Sequence, residues 1–249
     1  MDRIVHTDNS EFDIVGRTPS LTQSGVRVAG AWLALGSLLL VVSLALHPPP
    51  SPDPSEFMAI IADNASLWVA VHWGAALALT MLVIAGLLVL TAGSPLTHAW
   101  WTMSAWAVLV VGAFWVSTTA VAEATVIAAA AATGDSATFE AWQLFAEGQA
   151  IGFGFLVASV AVIAVDQARS AISVTPTWAA WIGAVAAVVA FVAYVVMGLV
   201  LGIAVGGPIW LVSTIVMGLW TLWFGAALAR SERSGGVPRE ERMRRPKAA

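Results

Sequence analysis

The sequence predicts an all-α fold, a polytopic transmembrane helical bundle of six spans with both termini cytoplasmic. Three observations carry this expectation. Of 249 residues, 59% are hydrophobic and only 10% charged, with mean hydropathy +0.85; a soluble domain carries about 25% charged residues. Six apolar runs are long enough to cross hydrocarbon, which takes about 20 residues of helix. All 11 Lys and Arg residues fall in three places: residues 1–27, Arg169 between spans four and five, and residues 230–247. Six spans put these three on one side, whereas the opposite loops hold Asp53, Glu56, Asp63 and Asp135 and no basic residue. By the positive-inside rule that basic side is the cytoplasm, and an odd number of spans would leave one basic terminus outside.

The elements follow in order. Residues 1–27 are polar, mixed in charge and without periodicity, and read as a cytoplasmic tail. Span one, about 28–46, stops at His47-Pro48-Pro49-Pro50, where proline removes backbone donors. The long polar lead and these prolines argue against a cleaved signal peptide. A short amphipathic helical turn is expected at 55–62, with Ser55 as its cap. Span two (about 66–91) ends at Ala92-Gly93-Ser94-Pro95. Span three (about 99–132) is too long to lie wholly in hydrocarbon, so it tilts or projects past the interface. Gly134-Asp135-Ser136 makes a tight turn into span four (about 137–165). Span five (about 178–205) and span six (about 209–229) flank Gly206-Gly207-Pro208. Residues 230–249 form a basic cytoplasmic tail, drawn to anionic lipid as a topology anchor. The 28–229 stretch is thus one six-helix domain, with no internal repeat and no clearly broken helix.

Several chemistries are excluded at once. The chain has no cysteine, which removes disulfides, thiolate nucleophiles, Cys-ligated zinc and iron–sulfur clusters. The only lysine, Lys247, lies in the tail, so a retinal Schiff base has no place. No Gly-rich nucleotide loop, Ser-His-Asp set or HExxH stretch occurs, so no enzyme is recognisable. Of the three histidines in or beside the spans, only His47 and His72 share a side, and His47 lies in a proline-bounded loop, a poor haem ligand set. No cofactor is expected. The 13 tryptophans suit interfacial aromatic belts. Nothing points to nucleic acid, and the expected surroundings are the lipid bilayer.

The centre of interest is Glu123, a carboxylate deep in the third run; such residues turn toward a partner or a wet cavity. At 1.5 Å per residue, His72 lies roughly 9 Å inside the outer interface, Glu123 roughly 13 Å, and Glu147 on span four roughly 13–15 Å. Thr119 and Gln143 each precede a Glu by four residues and share its helix face; Glu140 lies a further turn out. Glu123, His72, Glu147, Thr119 and Gln143 could form a proton- or cation-binding cluster, or a metal site of one imidazole and two carboxylates. Alternatively, His72 and Glu123 bond to each other only to join helices, with Glu147 near the interface. His47 and His98 read as interfacial residues beside loops. The pairs Gly148/Gly152 and Gly198/Gly202 predict close helix approach, and homo-oligomerisation through small-residue faces is a further possibility.

The order of features resembles a family of bacterial six-span membrane proteins catalogued as a domain of unknown function. The likeness rests on Asp53-Pro54 and Asn64 in the first outer loop, Glu123 mid-span, Gly148, Gly152 and Gly154 on span four, and Trp181 and Gly183 opening span five. It covers most of residues 28–229 and implies architecture without mechanism; where the family's fourth span often carries His, this chain has Glu147. Two functional expectations remain open. One is a small transporter-like or proton/ion-handling protein with an outward-facing polar pocket. The other is a non-catalytic scaffold or accessory subunit. The Ala-, Val- and Arg-rich, Lys-poor composition suggests the plasma membrane of a high-GC prokaryote.

Overall fold

The computed structural model describes residues 18–49, 51, 53–171, 173–202 and 206–231, and these are helical with no strand. The helices are α1 (Thr18–Leu46), α2 (Pro54–Asp63), α3 (Ala65–Thr91), α4 (Trp100–Ala122), α5 (Ala128–Thr133), α6 (Ser136–Arg169), α7 (Thr177–Phe191) and α8 (Gly206–Arg230). A π-helical turn, Glu123–Ile127, joins α4 to α5, and a longer π segment, Val192–Val200, continues α7. Six stretches are long and apolar enough to cross a membrane: Ser24–Leu46, Ala65–Thr91, Trp100–Thr133, Ser136–Arg169, Thr177–Val200 and Gly207–Arg230. The protein is an integral membrane protein of six spans. Span five stops short of its expected end at 205: the helix closes at Val200, and Gly202 turns left-handed at φ 65°. The expected tail at 1–27 is shorter, because Thr18 to Arg27 already belong to α1; residues 1–17 and 232–249 lie outside the described residues.

The six spans form a ring in chain order. α1 packs on α3, α3 on α4, α4 on α6, α6 on α7, α7 on α8, and α8 closes against α1. Short connections force neighbours to run antiparallel. One end of the ring therefore gathers Arg27, whose Nε donates to the Ala229 carbonyl (3.2 Å), together with His98 and Asp166. The other end gathers the close of α1, the start of α3, the π turn after α4 and the start of α8.

Small residues set the helix spacing. A Cβ added to Gly225 would stand 2.6 Å from the Ala34 nitrogen, and one on Gly30 would stand 2.6 Å from the Ala229 nitrogen. These two glycines bring the α1 and α8 backbones together, and Ser37 Oγ donates to Thr221 Oγ1 across the same seam at 2.9 Å. Gly112 does the same for α4 and α6: its Cβ would meet the Leu156 nitrogen at 2.5 Å and the Gly152 carbonyl at 2.9 Å. Among the described residues the expected pair Gly198/Gly202 joins no helices; nothing there lies within 4 Å of a Cβ on Gly202, which follows the helix end instead. Without a hydrophobic drive between helices in lipid, such close packing is what holds a bundle together.

Burial follows the membrane pattern. Leu35, Leu38, Val111, Phe114, Val188 and Val212 point outward and are exposed, as befits side chains bathed in lipid. Three tryptophans depart from the interfacial role: Trp68, Trp106 and Trp220 are buried in the interior, with Trp220 stacked on Phe224 (5.3 Å between ring centroids, 5° between planes). Span three runs as one helical stretch from Trp100 to Thr133. Its last turns, α5, pack under α2, where Ile61, Trp68, Ile127 and Phe139 form a second apolar core. The amphipathic helix expected at 55–62 is present as α2, but its cap is Asp53 and not Ser55. Asp53 accepts from the Ser55 and Glu56 amides (2.8 and 3.0 Å) and from Ser55 Oγ (2.6 Å). Asp53 is the cap because it stands immediately before the helix, with one carboxylate oxygen taking all three donors, and Pro54 then fills the first helical position, where no amide is needed.

The α1–α8 seam gives a direct test. Gly225→Ala forces two backbones apart and is expected to cost about 1–3 kcal/mol, read as a lower melting temperature in detergent. Gly207→Ala, where a Cβ meets nothing within 4 Å, should leave that temperature no lower.

Candidate ion-binding cavity

The ring holds a cavity of about 170 Å³ at the end opposite Arg27 and Ala229. Every one of the six spans contributes to its wall: α1 by Ser43 and His47, α3 by His72, α4 and its π turn by Thr119 and Glu123, α6 by Phe153, the π segment after α7 by Tyr194, and α8 by Trp210 and Thr214. Most of the remaining lining is aliphatic, so the polar groups stand out against a low-dielectric background.

Two aromatic groups form opposite walls. Phe153, Tyr194 and Trp210 meet edge to face, with centroids 4.7 to 5.5 Å apart. Facing them, Trp68 lies against His72 (4.3 Å) and His47 (4.8 Å), and Phe57 of α2 covers Trp68 at 5.5 Å. Helix α2 thus roofs the histidine side of the cavity.

The local chain geometry explains how the functional side chains arrive there. His47 is the first residue after α1, and the prolines that follow prevent the helix from carrying it further. Its Nδ1 donates to the Pro48 carbonyl at 2.6 Å. His72 sits one turn after Trp68, and its Nδ1 donates to the Trp68 carbonyl at 2.8 Å. A carbonyl oxygen only accepts, so both Nδ1 atoms carry hydrogen. The two Nε2 atoms then face each other at 3.3 Å. Burial pushes His47 below the ordinary imidazole range, against the smaller opposing pull of the Pro48 carbonyl.

Glu123 begins the π turn. A π turn replaces i→i+4 hydrogen bonds with i→i+5 and recurs at functional sites; here the Glu123 carbonyl is taken by the Trp68 indole, Nε1 donating at 3.1 Å. The same tryptophan thereby anchors both His72 and Glu123. The Glu123 carboxylate itself is the exception to this economy. Its Oε2 is buried and has no hydrogen-bond partner among the described residues. A buried carboxylate oxygen left unpaired costs several times what a satisfied one does. The second π segment places Tyr194 in the opposite wall. Both π segments therefore contribute to the cavity wall, whereas the sequence suggested no broken helix.

Of the residues expected at the site, the structure brings His72, Glu123 and Thr119 together in the cavity wall. Gln143 is half-buried on α6 and is not among the lining residues. Glu147 belongs to α6, but its side chain lies outside the described residues. Glu140 is exposed. His98 is exposed at the other end, against the Pro95 carbonyl. The main addition is His47, which the sequence reading left as a loop residue. Its available signal was that it shares a side with His72; the proline run hid how sharply the chain turns back over the helix end. With the two Nε2 atoms 3.3 Å apart and ring planes at 69°, no porphyrin fits between these imidazoles.

Trp68→Phe keeps an aromatic ring but deletes the indole donor that reaches the Glu123 carbonyl. A loss of about 1–3 kcal/mol is expected, together with faster amide exchange across residues 123–127. The roof helix has its own pH dependence. The Ser55 hydroxyl, then the Glu56 and Ser55 amides, hold the Asp53 carboxyl below the usual range. Its stabilising effect is present above the unfolded value of about 3.9 and is lost as pH falls through the lower folded value. Protection of the α2 amides, measured against their intrinsic exchange rate at each pH, should fall in that acid window in the native chain and be low at every pH in Asp53→Ala.

No family model, curated protein or solved structure matches this chain, so the likeness in feature order to the bacterial six-span family is not accompanied by a family match.

Proposed function

We propose that the protein is a small transporter-like, proton- or ion-handling membrane protein whose polar cavity faces outward. In this reading it lies in a prokaryotic plasma membrane with both termini cytoplasmic and does no covalent chemistry. The single observation that carries the proposal is the buried, unpaired Glu123 Oε2 in the same cavity as His47 and His72. Ionisable groups inside a membrane bundle are expensive and cluster on substrate and ion paths. A proton or a cation entering the cavity relieves the unpaired oxygen. The placement of both π segments at the cavity supports the same reading, because irregular backbone at membrane depth is tolerated where it lines a cavity. The orientation rests on the one-sided distribution of Lys and Arg.

The alternative, a scaffold or accessory subunit with structural polar contacts, accounts for the bond from Trp68 to the Glu123 carbonyl. It does not account for the carboxylate, which a purely structural role would pair.

The absence of native cysteine allows a clean test. Thr119→Cys should react with a membrane-impermeant thiol reagent added from outside, while Val111→Cys on the lipid-facing surface should not. Glu123→Gln should preserve folding and abolish ion-linked uptake in proteoliposomes. An unreactive Thr119→Cys, or a Glu123→Gln variant that loses only assembly, points to the scaffold.

A further inference from the structure

The two histidines pose a problem in proton counting. Each Nδ1–H is committed to a carbonyl, at 2.6 Å for His47 and 2.8 Å for His72. In neutral rings both Nε2 atoms then carry lone pairs and no hydrogen. They nevertheless face each other at 3.3 Å, an arrangement that repels unless something positive lies between them. An extra proton shared between the two nitrogens is one solution. A metal ion is the other. With metal–nitrogen bonds of about 2.0–2.1 Å, two imidazoles at a tetrahedral angle hold their nitrogens about 3.3–3.4 Å apart. The observed separation matches this spacing.

The surroundings have the same character. Metal-ligating histidines generally donate their other ring N–H to a carbonyl or carboxylate, which fixes the tautomer and turns the lone pair toward the ion. Both rings do so here, each from a different element, and Trp68 holds one of those carbonyls while bonding to the backbone of Glu123. An unpaired, buried carboxylate oxygen lines the same cavity. Among the described residues no three His, Asp or Glu side chains converge tightly enough to enclose an ion by themselves. The site is therefore open: two protein nitrogens, with the remaining positions left to water, to an exchangeable ligand, or to Glu123 after a change of rotamer. Open coordination suits an ion that must arrive and leave, whereas structural zinc sites are closed.

We propose that His47 Nε2 and His72 Nε2 form a two-point binding site for a divalent transition-metal ion of the imidazole-preferring class, zinc-like in geometry, with Glu123 as the adjacent carboxylate. The inference rests on the ion-handling reading of the cavity and names its ion class. It selects against magnesium and calcium, which take oxygen ligands.

The test uses the full chain, purified in detergent with any affinity tag removed, and Co²⁺ and Zn²⁺ as probes. One Co²⁺ per chain should bind with visible absorption bands of tetrahedral type. His47→Gln and His72→Gln should each weaken binding at least tenfold, and His98→Gln should leave it unchanged. In the unsubstituted chain Zn²⁺ should raise the melting temperature in a concentration-dependent way and Mg²⁺ should not, a readout that needs no variant to fold. The proposal is overturned by absence of both cobalt absorption and the zinc shift, or by undiminished binding in the His47→Gln/His72→Gln double variant. Thr119→Cys labelling separates the two readings. A labelled cavity that takes no cobalt sinks the metal site and leaves the outward pocket standing. Cobalt bound in a chain whose Thr119→Cys is unreactive supports the metal site and removes the outward access.

Discussion

The seam at which α8 returns to α1 is the constraint on which the rest of the structure depends. Five consecutive helix pairs can pack as an open row, but a cavity exists only if the sixth contact closes the row into a ring. Gly30 and Gly225 make that possible by letting two backbones meet with no side chain between them. In lipid no hydrophobic force would pull the helices together, so dispersion at close range and the Ser37–Thr221 hydrogen bond must do it. Closure also explains why every span contributes to the cavity wall.

Within the ring, backbone irregularity and site chemistry go together. A regular helix through 123–127 would have its carbonyls engaged along its own axis and would set Glu123 at a different angle to the cavity. The π turn shifts the register, and the Trp68 indole takes up the Glu123 carbonyl. Tryptophan is suited to this place because it combines a large apolar body with one donor. Its body packs between Phe57, His47 and His72, and its N–H reaches the neighbouring helix. The Asp53-capped roof helix, the His pair and the π turn are thus mechanically joined through one side chain. Movement of α2 would be felt at His47 and His72 through Trp68.

Much of this was legible in the sequence, because composition and hydropathy answer directly to the solvent. The six spans, their order, the membrane class and the capped helix after the first loop follow from apolar run length, proline and charge. The depth of His72, Thr119 and Glu123 follows from counting residues at a fixed rise, and those three do meet. Sequence spacing could not show which face of α6 carries Gln143, since a residue four positions from a neighbour shares its face whichever way that face points. Nor could it show that the Gly198/Gly202 pair ends a helix and joins no two.

The sequence by itself determined that this chain is a six-helix membrane bundle with a carboxylate and an imidazole buried at one level. Hydrophobic run length and the cost of a charge in lipid are local properties, fixed residue by residue. Only the tertiary structure decided that the helices close into a ring, that His47 turns back to face His72, and that Glu123 keeps an oxygen without a partner among the described residues. These depend on contacts between residues 25 to 200 positions apart, set by backbone approach at glycines and by the rotation of each helix about its axis, which no local pattern encodes.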